Sequence, residues 1–235
     1  MASNNKQIVI STKGITKRFG KRIVLDGIDF ELPKGQIFGI SGPNGSGKSV
    51  FMRILVGLVL PNEGEVSVFD QQIGHEVEFP KATGALIDRP GFLPTCSGYR
   101  NLELLAGIRG VASTTKITET LALVGLDPDD KKPVGTYSTG MRQRLGFAQA
   151  IMEDPDLLIL DEPTNGLDFD GQREIYGQLV ELRKAGKSTL ITSHNRDELL
   201  ILCDKIFIMH NGRLQLVPED PQTEWTPVQS EGSDC

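Results

Sequence analysis

Gly42-Pro43-Asn44-Gly45-Ser46-Gly47-Lys48-Ser49 is the stretch on which the fold turns. It has the Gly-x-x-x-x-Gly-Lys-[Ser/Thr] spacing of a phosphate-binding loop. Before it runs Gln36-Ile37-Phe38-Gly39-Ile40, a short apolar run suited to a buried parallel strand. After it, Phe51, Ile54, Leu55 and Leu58 recur at helical spacing, and Pro61-Asn62-Glu63-Gly64 is expected to end that helix with turn chemistry. The plainer reading is a glycine-rich turn, which the flanking strand and helix disfavour. Glycines let successive backbone N–H groups turn inward around a phosphate. The helix that follows adds its positive N-terminal end. Lys48 supplies a point charge between β- and γ-phosphates, and the Ser49 hydroxyl is a hard oxygen ligand for Mg2+.

Outward from the loop, strands are expected at 7–11, 23–32, 65–69, 84–87, 156–160 and 188–192. Between 95 and 153 the pattern turns helical. Leu102, Leu105 and Ile108 fall on one face, Ile117, Leu121 and Val124 on another, then Met141, Leu145, Ala148 and Met152. Ile175, Leu179 and Leu182 mark a further helix that stops at Gly186. Lys205–Met209 and Arg213–Val217 flank His210-Asn211-Gly212, a hairpin signal. The expectation is an α/β P-loop NTPase fold over 7–217, with a parallel core sheet, an antiparallel β edge from the first strands, and a helical subdomain inserted at about 95–153. The polar, acidic segment 218–235 is expected to be disordered.

Composition narrows the function classes. Of 235 residues, 25 are Lys or Arg and 31 are Asp or Glu, a net charge of −6, so no nucleic-acid partner is expected. The longest apolar run, Ile54 to Leu60, is far short of the ~20 residues that cross a bilayer. Cys96, Cys203 and Cys235 have no metal-ligand spacing, which suits a reducing compartment. The start, Met1-Ala2-Ser3-Asn4-Asn5, carries no signal-peptide pattern.

Two further stretches carry chemistry. Leu157-Leu158-Ile159-Leu160-Asp161-Glu162 reads as a buried strand whose acids emerge at its C-terminal end, where parallel sheets bind ligands. Asp161 suits Mg2+, and Glu162, one residue on, can reach a water beside a γ-phosphate. The alternative is an acidic helix-capping pair before Pro163. Tyr137-Ser138-Thr139-Gly140-Met141 opens an amphipathic helix. Ser138 is either an ordinary N-cap or part of a helix N-terminus aimed at an anion.

The phosphate loop, the serine motif, the strand ending Asp161-Glu162, Pro163-Thr164-Asn165-Gly166-Leu167-Asp168 and Thr192-Ser193-His194 follow one another in an order that resembles the ATP-binding subunit of an ABC transporter over about 7–217. The resemblance implies that Gly42, Pro43, Asn44, Gly45, Ser46, Gly47, Lys48 and Ser49 are the Walker A loop, with Val50 next along contacting ATP through its backbone. Asp161 closes Walker B and joins Ser49 in binding Mg2+. Glu162 is the catalytic glutamate, with Lys48 and His194, the switch histidine, beside it in hydrolysis. Ser138, Thr139, Gly140 and Met141 match the signature usually written Leu-Ser-Gly-Gly-Gln, Asn165 to Asp168 match the D-loop, and Phe19 takes the place of an aromatic stacked on adenine. Phe19 could equally be a core strand residue, and His194 alone could be a surface histidine. His75 and His210 have no such context and are expected on the surface.

The resemblance also implies partners. ATP and Mg2+ bind between two ATP-binding subunits, alike or different, which act on a transmembrane permease subunit; the chain is then cytoplasmic and peripheral to the inner face of the membrane. The docking surface is expected at about Pro90 to Leu105, with Arg100 and Glu103 in it. Two departures stand out. Asp88 takes the slot of the usual glutamine, and is read either as a third Mg2+ ligand beside Ser49 and Asp161, sensing Mg2+–ATP and relaying its state to the membrane partner, or as a solvent-facing loop acid. Thr139 and Met141 replace glycine and glutamine in the signature. An acid at 88 with Tyr-Ser-Thr-Gly-Met resembles subunits of bacitracin-resistance and lantibiotic-immunity exporters. The rival readings are a soluble ATPase of iron–sulfur cluster assembly and, opposed by the serine motif and His194, a small-molecule kinase.

Overall fold

The computed structural model describes residues 7–218 apart from Arg89. The tail expected to be disordered, and Cys235 with it, lies outside the described residues beyond Pro218. Strands β1 (Ile8–Phe19) and β2 (Arg22–Pro33) form a hairpin across Gly20-Lys21, with Phe19 paired to Arg22. β3 (Ile37–Ser41) leads through the phosphate loop into helix α1 (Lys48–Leu55). β4 (Glu63–Val68), the two-residue β5 (Gln71–Gln72) and β6 (Thr83–Leu86) follow. The helical stretch holds α2 (Gly98–Arg109), α3 (Thr114–Leu123), a 3-10 turn at Val134–Thr136 and α4 (Thr139–Ile151). Then come β7 (Leu157–Asp161), α5 (Phe169–Lys184), β8 (Ser188–Thr192), α6 (Arg196–Leu202), β9 (Lys205–His210) and β10 (Arg213–Leu216).

These strands make two sheets. The six-stranded sheet has the order β10-β9-β3-β8-β7-β6, parallel except for β10. The antiparallel element expected from the first strands is a sheet of its own, β2-β1-β4-β5. Alternation along the parallel strands sorts side chains to two faces. Phe38, Ile40, Leu157, Ile159 and Leu190 pack with α1 and the antiparallel sheet. Ile37, Leu158, Leu160 and Ile191 pack with residues of α2 to α6. Covering both faces is what lets β7 read as an unbroken apolar run.

Two expectations about helix limits change. α1 ends at Leu55, because Gly57 takes a positive φ of 81° and a Cβ there would sit 2.0 Å from the Glu78 carbonyl oxygen. Pro61-Asn62-Glu63-Gly64 therefore starts β4 rather than ending the helix: Asn62 donates its N–H to the Thr16 carbonyl at 2.8 Å and its side chain accepts from Arg18 N at 2.7 Å. Leu58 is accordingly 61% exposed. Ile108, assigned to the same face as Leu102, is 79% exposed at the open end of α2.

Glycines set the approach of helices to the sheet. A Cβ on Gly84 of β6 would lie 1.9 Å from the Ala150 carbonyl oxygen, so α4 sits against this edge strand only because 84 has no side chain. Gly84→Ala is expected to lower unfolding free energy by at least ~2 kcal/mol in a urea titration, since a backbone atom must yield; an unchanged midpoint would contradict this packing.

Candidate nucleotide site

The phosphate loop is built by positive φ angles at Gly42 (147°), Gly45 (78°) and Gly47 (116°), the last being the N-cap of α1. Close approach fixes them as well: a Cβ at Gly42 would meet the Met209 carbonyl oxygen at 2.2 Å, and one at Gly47 the Val24 carbonyl oxygen at 2.9 Å. The loop is thus wedged between β9 and β2. Lys48 folds back to donate to the Gly42 carbonyl at 2.7 Å and the Pro43 carbonyl at 3.2 Å. Burial pushes its pKa down, against attraction by Glu162 and Asp161. The Ser46 hydroxyl is buried beneath the loop and has no hydrogen-bond partner among the described residues.

A cleft of about 410 Å3 opens over this loop, lined by Asn44, Gly45, Lys48, Ser49 and Val50, by Phe19 and Arg22 of the β1–β2 hairpin, and by Asp161 and Glu162. Phe19 is 51% exposed, which removes the alternative of a core residue; the Lys17 ammonium stands 5.2 Å from its ring centroid. The cleft's dimensions, its glycine-rich loop at the start of α1 and the Lys48 ammonium fit a nucleoside triphosphate. Ser49 at the first turn of α1 and Asp161 at the end of β7 face the same cleft with hard oxygens, a donor set that fits Mg2+ completed by phosphates.

Glu162 sits in left-handed backbone, φ 50°. Its amide donates to the Thr192 hydroxyl at 3.1 Å, and that hydroxyl donates to Asp161. Its carbonyl accepts from Gln143 of α4 at 2.9 Å. Its carboxylate meets His194 Nδ1 at 2.6 Å. A carboxylate only accepts, so Nδ1 carries the proton and Nε2 is left facing outward on a ring that is 71% exposed.

Not every expected residue joins this cleft. Ser138 caps α4, its hydroxyl accepting from Met141 N at 3.1 Å, and Ser138, Thr139, Gly140 and Met141 lie outside the cleft of their own chain. Asp88, expected to sense Mg2+, is also outside it. Its carboxylate is gripped by Arg53, with Nε to Oδ2 at 2.9 Å and Nη2 to Oδ1 at 2.7 Å, and it lines a second cavity of about 530 Å3 with Thr139, Asn165 and Glu162. Arg53 lines the nucleotide cleft, and its pKa is pushed up by the hydrogen bond to Asp88. Sequence reasoning missed Arg53 and Arg22. For Arg53 a signal existed: it follows Ser49 by four residues, one helical turn along the same face. His75 is exposed as expected, and His210 is half-buried in β9.

A phosphate loop between parallel strand and helix, with acids at the end of β7 one strand further across the sheet, beyond β8, defines a P-loop nucleoside triphosphatase. Comparison with known proteins narrows the class. The family model described as ABC transporter matches residues 25–165. The bacitracin transport ATP-binding protein BcrA of Enterococcus faecalis is 40% identical over 210 residues, 88% of this chain and 68% of that protein. The lantibiotic transport ATP-binding protein SrtF of Streptococcus pyogenes is 36% identical over 211 residues, 90% of this chain and 91% of that protein. A solved nucleotide-free ATP-binding cassette from an ABC transporter superposes with a TM-score of 0.77 at 25% identity, covering 88% of this chain and 90% of that one. The chain belongs to the ABC transporter family, as an ATP-binding protein whose reaction is ATP hydrolysis coupled to transport. Neither relative is a cluster-assembly protein, and that rival finds no support.

The Arg53–Asp88 pair is half-exposed, so its loss should cost less than about 1 kcal/mol of stability. Arg53→Met should nevertheless weaken ATP binding by roughly three- to tenfold, because the cleft loses a cation that offsets Asp161 within it and Asp88 beside it. Arg53→Lys should recover part of it. A fluorescent-nucleotide titration reads this, and unchanged affinity in Arg53→Met would contradict it.

Proposed function

We propose that this chain powers export of a peptide antibiotic, working as one of two ATP-binding subunits beneath a separate transmembrane protein at the cytoplasmic face. Three observations support the reading. The relatives named above are bacitracin and lantibiotic transport proteins, and the chain carries Asp88 and the Tyr-Ser-Thr-Gly-Met motif, whose combination resembles such exporters. No helix among the described residues is long and apolar enough to cross a membrane, so a transport role needs a partner that does. The observation that carries the pairing is the position of Ser138 to Met141 at the start of α4, outside the cleft that holds Lys48, with Ser138 and Thr139 exposed. An anion-binding helix start with no anion site in its own chain is completed by the cleft of a second copy.

In that arrangement each group has one task. The loop amides and Lys48 hold the β- and γ-phosphates. Ser49 and Asp161 would hold Mg2+, which would supply positive charge to offset the charge of the transferred phosphoryl group. Glu162 orients the attacking water and accepts its proton, and His194 holds the Glu162 carboxylate through Nδ1. Phe19 stacks on the base and Val50 N–H faces a phosphate. Asp88, kept neutralised by Arg53, reports on the cleft to the segment that begins at Pro90 rather than binding the metal itself.

The transmembrane partner meets the outer edge of β6. There two adjoining grooves share Thr83, Ala85 and Arg109, and Leu58, Phe79, Ile108 and Val111 project from them, each more than half exposed. The helical segment at 95–153 forms one wall as a subdomain. Arg100 and Glu103, expected in the docking surface, bind each other along α2.

Glu162→Gln should keep ATP binding while turnover falls by about 10²-fold or more. Loaded with ATP, it should pull down a second ATP-binding chain and a transmembrane protein from detergent-solubilised membranes. Adding Ile108→Asp should remove the transmembrane protein and leave the ATP-binding pair. An ATP-loaded Glu162→Gln that recovers neither partner would contradict the reading.

A further inference from the structure

Glu198 is 2% exposed, in the first turn of α6, and takes no part in the cleft. Its Oε1 accepts from the Thr164 hydroxyl at 3.0 Å, and its Oε2 accepts from the Ser193 hydroxyl. Thr164 stands two residues after Glu162, and Ser193 immediately before His194. Both hydroxyl residues are buried. Ser193 Oγ also accepts from Asn195 N at 3.0 Å, and Asn195 caps α6. Tyr176 of α5 meets Thr164 and Glu198 with its hydroxyl, its phenol pushed up to about 12 first by burial and then by Glu198.

A buried carboxylate is an expensive way to fill this space. Its side chain accepts from hydroxyls rather than ammonium or guanidinium groups in the bonds described above, and burial raises its pKa, with Glu162 acting in the same direction. An apolar side chain here would pack without that desolvation cost, and pairs of this kind are retained where they specify position rather than stability. What Glu198 specifies is visible in its connections. It joins the segment leaving β7 to the segment leaving β8, and these segments carry Glu162 and His194, whose side chains meet at 2.6 Å. The first segment continues to Gly166, in left-handed backbone at φ 79°, where a Cβ would stand 2.7 Å from Thr139 Cγ2. The signature residues of the same chain therefore rest on the loop that Glu198 holds.

We infer that Glu198 is a positioning residue for hydrolysis: through Thr164 and Ser193 it clamps the two segments so that His194 stays on Glu162, and it ties this pair to the loop on which the chain's own Thr139 rests. The inference builds on the assignment of Glu162 and His194 to hydrolysis made above. It concerns a residue outside the nucleotide cleft, so a defect should appear in turnover rather than in ATP binding.

Steady-state ATPase of the full chain tests it, counted per ATP-binding chain. Glu198→Ala should lower kcat at least about tenfold and leave KM for ATP within about twofold. Glu198→Gln should keep at least roughly a third of kcat, because its amide can accept from one hydroxyl and donate to the other. Thr164→Val and Ser193→Ala should each lower kcat, and together no further than the worse of the two, as expected of two ends of one clamp. Wild-type kcat in Glu198→Ala, or a Glu198→Gln as impaired as Glu198→Ala, overturns the clamp. If Glu198→Ala fails to fold, the Thr164/Ser193 cycle decides alone, and multiplicative losses overturn it. Glu162→Gln runs beside them: full turnover in that variant overturns the site assignment, whereas a dead Glu162→Gln beside a normal Glu198→Ala overturns the clamp only.

Discussion

The Lys48 ammonium group is held by two neutral carbonyl oxygens, Gly42 O and Pro43 O, and the site is arranged around that choice. A carboxylate partner would have cancelled its charge. Carbonyls orient it and leave the charge for an anion, in a place where burial already disfavours the ammonium. Asp161 and Glu162 draw it from the far side of the cleft without bonding to it. A nucleotide's phosphates would supply the counter-charge that these carbonyl bonds leave unmet. The carbonyl positions depend in turn on Gly42 and Gly47, whose missing side chains let the loop lie against Met209 and Val24.

The second constraint is that both parallel-sheet faces are covered. Under that cover β3, β7 and β8 are almost wholly buried, and their C-terminal ends deliver the loop, the acids and Thr192 to one edge. Thr192 then does local work: its hydroxyl bridges Asp161 and the Glu162 amide, fixing the acid pair in two different directions. Asp161 stays with the phosphate loop, and Glu162 turns through left-handed backbone towards His194.

What was legible in the sequence follows from the range of the interactions. The phosphate loop, the acid-ended strand, the Asn-Gly hairpin and the helix ending near Gly186 are each set within a few residues, and each lies where the pattern put it. The helical run over 95–153 was legible because its apolar spacing repeats. The end of α1 was not, since Gly57 stops it by contact with Glu78, and the Pro61-Asn62 turn serves a strand pairing with β1. Helix α6, seven residues long, is too short to show a period. Asp88 was readable as an unusual acid, but its partner Arg53 is 35 residues away. Glu198 gave no signal at all: its partners come from segments joined only by the fold.

The account's central claim is that each site takes its phosphate loop from one chain and its signature from another. Mixing two inactive variants tests it most directly. Lys48→Ala lacks the loop charge but keeps Ser138, and Ser138→Arg blocks the signature but keeps Lys48. In mixed pairs one site combines the intact loop of one chain with the intact signature of the other. At equal mixing half the pairs are mixed and each carries one good site of two, so ATPase should rise from near zero to about a quarter of the wild-type rate. A mixture as inactive as its components, with pairing verified, would contradict the account.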